Sequence, residues 1–106
     1  MDHRATEIEM LYFDGCPSFR QAWNDILEVA TETKIPVRVS PILVEDVDAA
    51  RRLKFAGSPS IRIAGADLEG LQSEGTMACR VYTENEGKGW PSKKLITRKL
   101  KEAAGV

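Results

Sequence analysis

The stretch Glu7-Ile8-Glu9-Met10-Leu11-Tyr12-Phe13 constrains the fold more than any other. It starts as an alternation of polar and apolar residues and ends as a continuous apolar run, which suits a strand covered on both faces. Asp14-Gly15 breaks the strand, and the spacing of apolar residues then changes to that of a helix. Phe19, Trp23, Ile26, Leu27 and Ala30 follow at intervals of four, three, one and three, so they fall on one stripe. Pro17 fits the first helical position, where its missing N–H costs nothing, and this places Cys16 at the helix entrance. The helix is predicted to end near Thr33 or Lys34, ahead of Pro36.

A strand that feeds a helix so directly is the start of a β-α-β unit. Val37 to Val44 reads as the next strand, and Pro41 within it predicts an edge or a bulge. Glu45-Asp46 places carboxylates in the first turn of a second helix, where the dipole favours them. Val47, Ala50 and Leu53 are its expected buried side, and Gly57 its stop. Ser58-Pro59-Ser60 leads into a third strand, Ile61 to Ala64. Gly65 to Ala78 lacks a clear period and reads as a long loop. Ala78 to Thr83 is a predicted fourth strand, antiparallel to the third. Pro91 opens a last helix with Leu95, Ile96 and Leu100 on one face. The order is β-α-β-α-β-β-α. The first two strands are parallel through a right-handed crossover, and helices cover both faces of a mixed four-stranded sheet.

Composition narrows the function. At 106 residues the chain holds one domain, and its formal net charge of -1 gives no reason to expect nucleic acid or an anionic membrane as partner. Basic residues concentrate in Lys88 to Glu102, a surface expected to face solvent, and no aromatic platform is interleaved with them. The longest apolar run, Met10 to Phe13, is far below the roughly 20 residues of a membrane span. The polar start, residues 1–6, is expected to be a disordered tail, with no apolar stretch of a signal peptide behind it. A cytoplasmic protein is the expectation. The two cysteines, Cys16 and Cys79, do not amount to a disulfide scaffold. With one histidine, His3, they do not form a zinc cluster either.

Two local pieces carry a resemblance. Phe13-Asp14-Gly15-Cys16-Pro17-Ser18-Phe19 resembles the strand–cysteine–helix corner of thioredoxins and glutaredoxins. Ala50 to Ile63, with Gly57-Ser58-Pro59-Ser60 inside it, resembles the helix, turn and cis-proline strand of the same thioredoxin-like superfamily. The resemblance implies a thioredoxin-like α/β fold, with Pro59 as the cis-proline. Dithiol members have a second cysteine three residues after the first. Here that position is Phe19, so the chain resembles a monothiol, glutaredoxin-like variant. It is also similar to small bacterial and archaeal proteins with Gly-Cys-Pro, Gly-Ser-Pro and Cys-Arg-Val-Tyr, some of which carry labels linking them to organomercurial or metal handling. By resemblance, Pro59 holds an extended peptide or a glutathione backbone beside the Cys16 sulfur.

The residues themselves point to redox chemistry at Cys16. A thiol at a helix entrance faces unpaired backbone N–H groups and the positive end of the dipole, which favour the thiolate. Thiolate is the nucleophile in disulfide exchange and the ligand for soft metals. The alternative is an inert cysteine at the cap, buried as a small hydrophobe. Asp14, Gly15, Pro17, Ser18 and Ser58 are the expected supporting or binding residues. Asp14 reads as a thiolate neighbour, a proton acceptor or an ordinary turn residue, and Ser18 as a donor to the sulfur or to backbone. Cys79 is the one internal candidate for a second thiol. In a hairpin with Ile61 to Ala64 it falls roughly 15 Å from Pro59, in a buried strand position. No cofactor is expected, with glutathione a candidate co-substrate. Three functions follow: thiol–disulfide exchange through a mixed disulfide with glutathione or a partner thiol, soft-metal binding (mercury or copper) by thiolate, or an interaction domain without chemistry.

Overall fold

The computed structural model describes residues 5–106. Residues 1–4, including His3, lie outside the described residues. Thr6, assigned to the tail from sequence, is instead buried and opens the first strand. The elements are β1 (Thr6–Tyr12), α1 (Phe19–Thr33), β2 (Val37–Leu43), α2 (Val47–Leu53), β3 (Ala56–Ser58), β4 (Ser60–Ile63), β5 (Ala66–Asp67), β6 (Thr76–Cys79) and α3 (Lys93–Ala104). A single 3₁₀ turn, Thr83–Asn85, precedes α3.

The main sheet is mixed and four-stranded, in the order β2-β1-β4-β5. β1 runs parallel to β2 and antiparallel to β4. Pro41 sits on β2, an edge strand, where a missing donor is tolerated. β1 is covered on both faces, as its apolar run requires. Ile8 and Met10 face Ile61, Ile63, Ile26, Val29, Leu95, Ile96 and Leu100 on the side of α1 and α3. Leu11 faces Val44, Ala50 and Phe55 on the side of α2.

The fourth strand is not the predicted one. Ala64 and Gly65 both take positive φ, 52° and 84°, between the paired residues Ile63 and Ala66. Two left-handed residues make a tight hairpin turn whose twist matches the flanking strands. The short β5 therefore completes the sheet. The later strand, β6, pairs parallel with β3 in a separate two-stranded ladder.

Two helix faces also differ from the sequence pattern. In α1 the buried residues are Ala22, Asp25, Ile26 and Val29, while Leu27 is 42% exposed. In α2 Asp46 caps the helix by accepting from Ala49 N at 2.8 Å. That entry buries Ala49 and Ala50 and leaves Val47, the first helical residue, exposed and Leu53 half-buried.

Candidate functional site

β1 delivers the chain to a corner at Phe13. Cys16 N donates to Phe13 O at 3.3 Å, and Gly15 takes φ +83°, a conformation glycine reaches without strain. Phe19 N then donates to Cys16 O at 3.4 Å, so Cys16-Pro17-Ser18-Phe19 is a second turn with proline in its favoured position. α1 starts only at Phe19, with Ser18 as its cap. Cys16 therefore precedes the cap by two residues, whereas the sequence pattern, with Pro17 at the first helical position, predicts Cys16 as the entrance residue itself. The Ser18 side chain caps no backbone N–H, and the first turn of α1 holds no acidic residue. The positive end of α1 is thus left without an internal anion. Cys16 is half-buried, while Asp14, Gly15 and Pro17 are exposed. Phe19 is half-buried, 4.3 Å from the Tyr12 ring and 5.8 Å from Trp23.

The segment from Gly57 to Ser60 stands against this corner. The Ser58–Pro59 bond is cis. Phe13 N donates to Ser58 Oγ at 3.2 Å, which ties the corner to the residue before Pro59. Ser58, Pro59 and Ser60 are all buried.

Cys79 overturns its sequence assignment. It is exposed, and its partner in the ladder is Ser58. β6 never pairs with β4, so the separation expected from a hairpin does not apply. The reason is the turn at Ala64-Gly65, which frees the later strand to return along β3. Between Ala56 and Ser58 the ladder holds an extra residue on β6, since Thr76 and Cys79 are their partners. A bulge shifts the side-chain alternation by one. Met77 packs against the α2-side core, and Arg80 and Tyr82 then point inward while Cys79 and Val81 face out. Gly57, at φ +101°, admits the bulge. A Cβ there would lie 3.0 Å from Arg80 Cβ and 3.1 Å from Ala78 O.

Arg80 holds the arrangement from inside. Its backbone N donates to Ser58 O at 3.0 Å. Its guanidinium donates to both Asp67 carboxylate oxygens, at 2.6 and 2.8 Å, and to Ser60 Oγ at 3.2 Å. The guanidinium lies 4.4 Å over the Tyr82 ring, and Tyr82 Oη donates to Pro59 O at 2.7 Å. Arg80 Nε is buried and finds no partner among the described residues. Burial opposes the Arg80 charge, but the Asp67 bond and charge prevail and raise its pKa. Burial likewise pushes the Asp67 carboxyl up, and the Arg80 hydrogen bond and charge bring it below the ordinary carboxylate range. The sequence pattern placed Arg80 in phase with Tyr82 but did not identify this cluster. With Cys79 expected to face inward, Arg80 and Tyr82 fell on the outward phase, and the available signal was a lone cation sharing one strand face with a tyrosine.

Beside the corner lies a groove of about 470 Å³ lined by Phe13, Asp14, Leu43, Val44, Glu45 and Met77. A larger cavity of about 860 Å³, near Arg52, Lys54 and Arg62, includes none of Cys16, Ser58, Pro59 or Cys79. Among the described residues no group of three or more His, Cys, Asp or Glu is placed to hold a metal ion. No helix among them is long and apolar enough to cross a membrane.

No protein-family model matches the chain, and no curated protein matches it. Among solved structures, it is similar to a selenoprotein W-related protein from Vibrio cholerae. The TM-score is 0.54 at 14% identity, over 94% of this chain and 98% of that one. At that identity the likeness shows the fold, which is thioredoxin-like.

Proposed function

We propose that the chain carries out thiol–disulfide exchange through Cys16 by way of a mixed disulfide. The observation that carries the reading is the Phe13 N to Ser58 Oγ bond. It brings a half-buried cysteine and the Ser58-Pro59 segment to one corner of a thioredoxin-like fold. The uncapped start of α1 supports it, because that end of the helix attracts an anionic sulfur or an anionic leaving group. The groove beside Phe13 and Asp14 offers a place for the apolar part of a partner peptide, and glutathione is the small-molecule alternative.

Incubation of the reduced chain with glutathione disulfide, followed by acid quench and peptide mapping, tests this reading. A glutathione adduct on Cys16 that is lost in Cys16→Ser supports it. An unmodified Cys16 after prolonged incubation contradicts it.

A second reading is two-coordinate binding of a thiophilic metal such as mercury(II) or copper(I). It draws on the exposure of Cys79 next to Ser58. Thiolates suit soft metals, so one equivalent bound per chain, requiring both cysteines, favours it. Binding that survives loss of either cysteine contradicts it.

A further inference from the structure

We propose that Cys79 is the resolving thiol for Cys16, supplied by β6 in place of the cysteine that Phe19 displaces from the α1 corner. The inference rests on the exchange reading given above and adds the identity of the second thiol.

Two independent links bring the cysteines to the same end of the fold. Ser58 is the first. It is the ladder partner of Cys79, at the roughly 4.8 Å spacing of neighbouring strands, and Arg80 N locks that register with its 3.0 Å bond to Ser58 O. On its other side Ser58 Oγ accepts from Phe13 N, and Phe13 O accepts from Cys16 N. Gly89 is the second link. A Cβ at Gly89 would collide with Ser18 Oγ and lie 3.8 Å from Arg80 O. Ser18 follows Cys16 by two residues and Arg80 follows Cys79 by one, so the chain downstream of each thiol converges on Gly89.

The bulge in β6 adds orientation. It sends Arg80 into the core and leaves Cys79 exposed at the last position of the strand. A Cys16–Cys79 disulfide needs Cα atoms within about 7 Å, and Ser58, the ladder partner of Cys79, is also tied to the corner that carries Cys16.

The chemistry balances without an external oxidant. Cys16 thiolate attacks a substrate disulfide, forming the mixed disulfide and releasing one substrate thiolate. Cys79 thiolate then attacks the Cys16 sulfur, forming the Cys16–Cys79 bond and releasing the second. Solvent protonates both leaving thiolates. The substrate disulfide is reduced by two electrons and the protein dithiol is oxidised.

The test is a time course of reduced chain with glutathione disulfide, quenched in acid and mapped by mass spectrometry, on the wild type and on Cys79→Ser. The wild type is expected to pass through a Cys16–glutathione adduct to an internal Cys16–Cys79 disulfide. Cys79→Ser, altered only at an exposed position, is expected to stop at the adduct. If the wild-type adduct persists as it does in Cys79→Ser, the resolving role is overturned and the exchange reading stands. An adduct on Cys79 with Cys16 free also overturns it. If neither protein forms any adduct, the exchange reading falls and takes this inference with it.

Discussion

Asp67→Asn isolates the contact on which the Ser58-Pro59 segment depends. Asp67 accepts both arms of Arg80, and the two side chains are 10% and 2% exposed. Removing one partner of a buried pair costs about 3–5 kcal/mol, because the remaining charge stays buried. Glu69 lies 3.6 Å from the same guanidinium and takes up part of that charge. The expected loss is therefore about 3 kcal/mol, the lower end. In a domain of this size that lowers Tm by roughly 12–24 °C. Urea unfolding followed by the fluorescence of Trp23 and Trp90 measures it, with Arg80→Met and the double variant closing a cycle. Coupling of at least about 1 kcal/mol between the two positions is expected. The pH dependence has a definite sign. The Asp67 carboxyl is held below its ordinary value, so its contribution is complete above about pH 4 and disappears as pH falls through the lower native value. The gap between wild type and Asp67→Asn should therefore narrow in acid. A loss below about 1 kcal/mol at neutral pH, or a gap that widens in acid, would mean that the Asp67–Arg80 pair does not hold this part of the fold.

Four smaller predictions concern neighbouring contacts. Tyr82→Phe removes the donor to the buried Pro59 O and should cost about 1–2 kcal/mol by thermal unfolding. In the wild type, burial raises the Tyr82 phenol and Arg80 only partly offsets it, so Tyr82 should stay out of an alkaline absorbance titration until the chain unfolds. Gly57→Ala forces a side chain into φ +101° against Arg80 and Ala78, and should cost about 1–3 kcal/mol in urea. Asp46→Ala removes the cap on α2 and should cost about 1 kcal/mol in the same assay, with the α1 corner unchanged.

The elements read most securely from sequence are those with a strong local signal. The apolar run of β1, the proline of β2 and the stripe of α3 each prescribe their surroundings, and the structure agrees. The cysteine corner was legible because Asp14-Gly15 and Pro17 punctuate it. The partner of β6 was not legible. It depends on Ala64 taking a left-handed conformation, which alanine does not advertise, and on a bulge, which shows in sequence only as an alternation that slips between Met77 and Arg80. That single slip moved Cys79 from an expected interior position to the exposed neighbour of Ser58. The Asp67–Arg80 pair was hidden for a related reason, because its members are brought together by the same return of the chain.

Competition between the two thiols for a limiting amount of glutathione disulfide shows which of them is the attacking nucleophile. Cys79 is exposed and Cys16 is half-buried, so accessibility alone favours Cys79. The opposite order is expected if Cys16 is the nucleophile, with the first mixed disulfide on Cys16 at early times in single-cysteine variants mixed at equal concentration. Early labelling of Cys79 ahead of Cys16 would contradict it.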